Sequence, residues 1–503
     1  MLGSTHTVAF SGIDVLKIDV EVRIMNGLPA FTIVGLADKA VAESKERIRA
    51  ALTSVGLSLP ASRITVNLAP ADVVKEGTHY DLPITMALMA AMDIVSPQSI
   101  SNALIMGELG LDGSIRAVTG VLPAAIAANR FGMSFICPED QGAEAAWSAN
   151  ENIIAPASLL SLINHLKGRQ LLHAPECNAL PQQTHHLDFK EIKGQESAKR
   201  ALEIAAAGGH NVLMIGPPGS GKSMLAARLP SIMPPLSMED ILEVSNIHSV
   251  AGLLKDGKLV THRPFRDPHH SASTPAMVGG GLRARPGEIS LAHKGILFLD
   301  ELPEFNRSTL EALRAPLETG TVTVSRANLH VTYPAQFQLI AAMNPCRCGY
   351  LGLPGHECSR APKCAEEYQS KISGPMFDRI DLHVDVPAVA PWELGQTCGN
   401  ESSKTILARV ERAIAFSKDR FKGTKAKKNA EADGAFLEQI ARLEDAARDL
   451  LIEAAEKLML SGRGYHRIMR VARTIADMEQ CETTKKHHVA EALSYRKPIR
   501  KGV

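Results

Sequence analysis

No apolar run in this chain approaches the roughly 18 residues that a bilayer span requires, and the N-terminus, MLGSTHTVAFSGIDVLKIDV, lacks the basic stretch and apolar core that mark export. These absences argue against membrane insertion and make a reducing cytoplasm the expected compartment, where clustered cysteines point to metal before disulfide. Internal repeats and long low-complexity tracts are missing as well, which excludes a repeat array. Net charge is almost missing, at +1. That balance hides an asymmetry, because residues 401–503 carry 22 Lys and Arg against 15 Asp and Glu, leaving 33 against 39 elsewhere. Such an excess is ordinarily a solvated helical face, and it is compatible with a nucleic-acid partner.

At 503 residues, with 45% apolar and 22% charged side chains, the chain is too long for one hydrophobic core and predicts several globular domains. Residues 1–168 alternate strand-like runs (VAFSGIDVLKIDVEVRI, FTIVGL, RITVNLAP) with helical ones (ADKAVAESKERIRAALTSVG, DLPITMALMAAMDI), an α/β pattern. Residues 169–187 have no periodicity and read as a linker. A second α/β unit is expected over 188–390, and 391–503 follow a helical pattern.

NVLMIGPPGSGKSMLAARL reads as a strand, the pattern G-x-x-x-x-G-K-S over Gly216–Ser223, and a helix, which is the context a phosphate-binding loop requires. The expected nucleotide-binding segment is Gly216, Pro217, Pro218, Gly219, Ser220, Gly221, Lys222, Ser223 and Met224. Its glycines let backbone N–H groups curl around phosphates at a helix N-terminus, Lys222 reaches the β and γ phosphates, and Ser223 is placed to ligate Mg²⁺. In GILFLDELPEF an apolar run ends in Asp300 and Glu301, as where a parallel strand delivers carboxylates to the carboxyl edge of a sheet. Asp300 is expected to hold Mg²⁺ through water, and Glu301 to act as general base toward the attacking water. FQLIAAMN ends in Asn344, a candidate to orient that water, with a turn cap as the bland alternative. SGPMFDRIDLHV sets Arg379 between carboxylates ahead of a strand. A surface ion pair is the ordinary reading; the sharper one is an arginine finger acting on a neighbouring subunit, since a planar, permanently charged guanidinium suits developing phosphoryl charge.

Together these segments resemble AAA+ ATPases, with Walker A at 216–223, Walker B at 296–301, a sensor-1 asparagine and a helical lid. RPFRDPHHSASTPAMVGGG followed by RPGEISLAHKGILFLDELPEF narrows the resemblance to the magnesium-chelatase-like branch. GLPAFTIVGLADKAVAESKERIRAAL ahead and SGRGYHRIMRVARTIADME behind are similar to the ComM/YifB family. The resemblance implies a sensor-2 arginine from the lid, Arg463, with Arg467 as second candidate. Residues 1–168 also resemble the Lon protease domain, whose catalysis needs a serine and an activating lysine. KEGTHYD (75–81) puts His79 at the serine position and TGVL (119–122) puts Leu122 at the lysine position, so the resemblance implies an assembly or DNA-binding module and not a protease.

Lys222 and Asp300 stand 78 residues apart, long for a strand–helix–strand unit, so an insertion lies between them. Its loops concentrate Arg263, Arg266, His269, His270, Arg283 and Arg285, and the hairpin pattern GTVTVSRANLHVTYP sets Arg326 at a turn. In ring-shaped motors of the resembled class such insertions line a channel, which makes these residues candidates for sequence-independent DNA contacts. Packing at the ring interface is the alternative, and the prolines of RPFRDPHH, which fix an extended path, suit a structural role.

The resemblance therefore implies a hexameric, ATP-driven DNA motor that extends heteroduplex by branch migration in natural transformation. The alternative is the energy-coupling subunit of a metal-inserting chelatase; the N-terminal unit and the cysteine cluster favour the motor. That cluster, NPCRCGYLGLPGHECSRAPKC, holds Cys346, Cys348, Cys358 and Cys364, enough to close a tetrahedral Zn²⁺ site, with His356 as a substitute ligand. Free buried thiols and a redox switch are the competing readings.

Overall fold

The computed structural model describes residues 1–178, 180, 187–281, 284–326, 329–349, 351, 358–389 and 401–496. At the amino end β1 (Leu2–Ser11) and β2 (Asp14–Met25) form a long antiparallel hairpin turned at Gly12. Alternation decides which face of β2 is buried: Ile18, Val20 and Val22 point inward, whereas Lys17, Glu21 and Arg23 face water. With β3 (Ala30–Val34), β4 (Arg63–Ala69) and β5 (Ala103–Ile105) they begin a mixed sheet. A short antiparallel pair follows, β6 (Glu108–Leu109) with β7 (Ile115–Arg116). β8 (Ser134–Ile136) and β9 (Ile153–Ile154) then complete the sheet in the order β3-β4-β2-β1-β5-β8-β9. The apolar run DLPITMALMAA has no polar face, and the helix it forms, Asp81–Ala91, is buried at every residue against β1 and β2.

The second unit is a parallel sheet. Its strands, with two small hairpins inserted between them, are β10 (Val212–Ile215), β11 (Phe265–Arg266), β12 (Gly279–Gly280), β13 (Arg285–Pro286), β14 (Ile296–Leu299), β15 (Thr321–Arg326), β16 (Leu329–Pro334), β17 (Gln338–Met343) and β18 (Leu382–Asp385). The sheet order is β11-β14-β17-β10-β18, and β12–β13 and β15–β16 are the hairpins. Because every pairing within the sheet is parallel, all five carboxyl ends fall on one edge. β14 and β17 are buried along their whole length, which explains their apolar sequences; the one polar residue, Gln338, donates to the Ala205 and His210 carbonyls.

Five longer helices form the C-terminal unit: Ser403–Ser417, Gly434–Ala441, Asp445–Lys457, Gly462–Met478 and Lys486–Ser494. They share one hydrophobic cluster with the strands, in which Val212 and Met214 join Val410, Ile468 and Ile475. Ser403 clasps the units together: its hydroxyl accepts from the Phe189 N–H at 2.8 Å and pairs with the Ser231 hydroxyl, and its N–H donates to Asp188. No helix among the described residues is long and apolar enough to cross a membrane.

The N-terminal unit docks on the insertion. Helix Met238–Ala251 packs against helix Val121–Arg130, and Leu122 joins a cluster with Leu236, Ile241, Val244 and Leu259. The buried Glu144 accepts from the Ser249 hydroxyl at 2.6 Å and from the Leu122 N–H at 3.1 Å. Burial raises the Glu144 carboxyl above its ordinary range. Gly12, at the tip of the first hairpin, lies against Val331 and Tyr333 of β16, so close that a Cβ there would sit 2.8 Å from Val331 Cγ1.

The C-terminal unit is locked by a buried ion pair. Arg473 is 0% exposed and Asp477 1% exposed, and the Asp477 carboxylate also takes hydrogen bonds from Arg420 and Asn429. Removing the anion strands two guanidinium groups, so Asp477→Ala is expected to cost about 3–5 kcal/mol. A lowered denaturant midpoint of the helical unit is the measurement, and a loss under about 1 kcal/mol would contradict this account.

Candidate nucleotide site

The loop after β10 carries the phosphate-binding segment to the carboxyl edge of the sheet. Gly216 passes so close to its surroundings that a Cβ would lie 2.0 Å from the Val386 carbonyl oxygen, and Gly221 turns the chain into the helix Lys222–Arg228 at φ +89°, a left-handed conformation that favours glycine. Lys222 Nζ, nearly buried, donates to the carbonyls of Gly216 and Pro217 at 2.8 Å each and lies 3.3 Å from Asn344 Oδ1. Burial lowers its pKa, and the Asp300 and Glu301 carboxylates oppose that shift. The Ser223 hydroxyl donates to Asp300 Oδ2 at 2.7 Å, joining the two residues that sequence pattern assigns to Mg²⁺. Ser220 Oγ is buried with no partner. A cradle of open glycines, an inward lysine, an unsatisfied hydroxyl and a paired Ser–Asp fit a triphosphate with its divalent cation.

Glu301 follows Asp300 with φ +51°, a conformation that strains a residue bearing a Cβ, and its side chain is about half exposed, at 52%. Four residues here escape a reading by motif. Gln195 Nε2 donates to the Ser220 and Pro387 carbonyls, bridging the phosphate loop to the end of β18. Asp267 has its pKa raised by burial and by the neighbouring Asp300. His270 Nδ1 stands 3.6 Å from Glu301 Oε2. Burial raises the Tyr368 phenol, as do the charges of Glu304, Glu301 and Asp300. The signal lies in the fold: Gln195, the Asp267–His270 loop and Tyr368 reach the site from three separate segments.

The cysteines form a compact knot beside this site. The sulfur atoms of Cys346, Cys348, Cys358 and Cys364 all lie within 4.8 Å of one another, with Cys346 Sγ 3.2 Å from Cys348 Sγ. Zn–S bonds of about 2.3 Å place tetrahedral sulfurs about 3.8 Å apart, so the four residues fit a Zn²⁺ ion. Burial, and then the hydrogen bond with Cys348, push the Cys346 thiol up, which a bound cation would reverse. The knot touches the nucleotide loop: a Cβ on Gly349 would lie 2.7 Å from Pro218 Cδ. Helix Lys363–Gln369 leaves the knot, carries Tyr368 and returns Gln369 Nε2 to the Pro345 carbonyl at 3.0 Å. His356 and Cys398 lie outside the described residues. Glu479, His487 and His488 form a second group of ligand-type side chains. There, His488 Nδ1 accepts from the Lys485 N–H, so its proton sits on Nε2 and is donated to Glu479, leaving a hydrogen bond where a lone pair would be needed.

The expected arginines stand apart from the phosphate loop. The Arg379 carbonyl accepts from Asn211, the residue before β10, so Arg379 sits at the amino edge of the sheet, about 13 Å of strand away from the loop. Its guanidinium binds the Pro375 carbonyl and Glu318 Oε1. Arg467 is largely buried 3.4 Å from Asp381 at the same edge, and burial pulls its pKa down to about 10. Helix Gly462–Met478 runs along this edge, since Thr474 also contacts His210 there, and Arg463, one turn before Arg467, is exposed.

The DNA-contact candidates differ in what their guanidinium groups meet. Arg263 turns inward to the Pro234 and Lys294 carbonyls, and Arg266 forms a bidentate pair with Glu288, because both guanidinium groups satisfy neighbouring acceptors. Arg285 is exposed on β13, Arg326 ends β15 at the hairpin tip, and Arg283 lies outside the described residues. At the protease-like positions, His79 is buried with its ring nitrogen 2.9 Å from the Val8 carbonyl, and Leu122 is 0% exposed in the docking cluster, so both serve packing. A cavity of about 450 Å³ between Phe10, His79, Glu144, Arg285 and Tyr333 remains beside them.

A first strand set between the fourth and fifth, its phosphate loop facing Asp300 and Asn344 across one edge, defines an AAA+ architecture of the magnesium-chelatase-like class. The family described as magnesium chelatase, subunit ChlI, matches residues 188–394, its C-terminal counterpart matches 400–496, and subunit ChlI of Mg-chelatase matches 20–141. The chain belongs to the branch of this family that contains YifB and ComM. It is 43% identical to the uncharacterized protein YifB of Salmonella typhimurium over 496 residues, 98% of this chain and 97% of that protein. Identity to the competence protein ComM of Haemophilus influenzae is 40% over 507 residues, 99% of this chain and 98% of ComM. The magnesium-chelatase 67 kDa subunit of Chlorobaculum parvum is 27% identical over 169 residues, 31% of this chain and 23% of that subunit.

Asn344→Ala is expected to lower ATP turnover about a hundredfold while leaving nucleotide affinity within about threefold. Steady-state hydrolysis and equilibrium binding of a non-hydrolysable analogue measure the two quantities; equal losses in both would assign Asn344 to ground-state binding.

Proposed function

We propose that this chain is an ATP-driven, ring-forming motor that moves DNA, and that its site is completed between subunits. The observation carrying this reading is the position of Arg379 at the amino edge while the phosphate loop occupies the carboxyl edge. One chain cannot bring both to the same phosphate, whereas a closed ring of identical subunits presents one edge to the next. Six is the expected number. Arg379 must leave Glu318 to reach a neighbour's nucleotide, so assembly and finger release are coupled.

In the hydrolytic step Lys222 exchanges its carbonyl partners for the β and γ phosphate oxygens. Ser223, and Asp300 through water, would hold a Mg²⁺ ion, which would supply neutralisation of phosphate charge when bound. Asn344 orients the attacking water and Glu301 accepts its proton as the water oxygen bonds to the γ phosphorus and the bond to the bridging oxygen breaks, leaving ADP and inorganic phosphate. Arg379 and Arg463 of the adjacent subunit would stabilise the developing charge.

Full-length similarity to a competence protein supports DNA as the partner, with heteroduplex extension by branch migration during transformation as the task. Arg285 and the hairpin carrying Arg326 are the remaining contact candidates. The N-terminal unit, its protease-like positions spent on packing, serves assembly. A chelatase energy-coupling role is the second reading, favoured by the family descriptions, but the chelatase relative matches only 31% of this chain. Single-stranded, duplex and branched DNA are expected to stimulate ATP turnover by the wild type and not by Lys222→Ala, with ATP-dependent migration of a three-stranded junction. A flat response to every DNA would favour the chelatase reading.

The cysteine knot is assigned a structural Zn²⁺ that holds the segment between Asn344 and helix Lys363–Gln369 against Pro218. Anaerobically purified protein is expected to contain about one zinc per chain, and Cys346→Ser with Cys364→Ser to lose it with a lower thermal midpoint. Less than about half an equivalent in the wild type would overturn the assignment.

A further inference from the structure

The parallel register between β11 and β14 aligns Phe265 with Ile296 and Arg266 with Leu297. Carried forward at the same offset, it sets position 269 beside Asp300 and position 270 beside Glu301. The His270 side chain follows that register, with Nδ1 3.6 Å from Glu301 Oε2.

The loop bearing His270 is held at both ends. Arg266 enters it clamped to Glu288 by bonds of 2.6 and 2.8 Å, and the Ala272 N–H closes a turn on the His269 carbonyl at 2.9 Å. His269 is fixed by its Ser271 partner, Nδ1 to Oγ at 2.7 Å, and the His270 ring lies on it with centroids 4.1 Å apart. Proline at 268 restricts the approach. A side chain serving only as surface would not need this support, and Glu301 sits on a strained backbone with half its side chain in solvent, so its carboxylate needs an orienting partner.

We propose that His270 is the positioning residue of the hydrolytic base. Its imidazole engages Oε2 of Glu301, turning Oε1 toward the γ phosphate side of the loop, where it meets the attacking water. His270 touches neither nucleotide nor water and takes no proton from substrate; it acts through Glu301. The segment RDPHH, for which the sequence left DNA contact and a structural role open, thereby belongs to the ATPase centre. This inference rests on Glu301 being the general base.

The test uses the full-length protein with saturating DNA. His270→Ala is expected to lower kcat at least about tenfold with KM for ATP and affinity for a non-hydrolysable analogue unchanged. His270→Asn, which keeps a side-chain N–H near the same position, is expected to recover a substantial part of the lost kcat. Unchanged kcat in His270→Ala would overturn the proposal, as would parallel losses of kcat and analogue binding in both variants, which mark a packing role. Glu301→Gln separates the two levels. If it still turns over ATP, Glu301 is not the base and the reading of the site fails with this one; if it is inactive while His270→Ala is not, this proposal alone fails.

Discussion

Parallel pairing of β10 with both β17 and β18 is the constraint on which the nucleotide site depends. Parallel strands share a direction, so the loop after β10, the carboxylates after β14 and the asparagine after β17 must emerge at one edge. The Lys222–Asn344 and Ser223–Asp300 contacts follow from that geometry with little further specification. The same constraint exiles Arg379 and Arg467, because residues preceding β18, or packed at its start, emerge at the opposite edge.

Around this edge the molecule braces its mobile-looking parts. The phosphate loop is held from one side by Gln195 and from the other by the cysteine knot through Gly349 and Pro218. The knot is in turn connected to Tyr368, whose phenol is pushed up partly by the catalytic-type carboxylates. The cysteine knot therefore packs the loop that contains it against the phosphate loop. On the far side, Glu144 and Leu122 tie the N-terminal unit to helix Met238–Ala251.

The readable parts of the site were those whose chemistry is local. Eight consecutive residues make a phosphate loop, and an apolar strand ending in a polar residue announces its own end. Charge was a poorer guide: Arg263 and Arg285 belong to the same arginine-rich stretch of sequence, yet one turns inward to carbonyls and the other is exposed. A cluster of arginines does not reveal which acceptors lie behind it. The protease resemblance set His79 and Leu122 at the serine and lysine positions; that His79 meets a carbonyl and Leu122 an apolar interface was not legible in sequence.

Local pattern alone thus determined the mixed α/β character, the phosphate loop, the acidic pair, Asn344 and the four cysteines, since each depends on neighbours a few residues away. Tertiary structure decided the rest: that the cysteine sulfurs converge, that the arginines face away from their own nucleotide loop, and that His270 meets Glu301. Those relations join segments brought together by strand register and sheet order, and register is set by pairing across the whole core, which no short window of sequence contains.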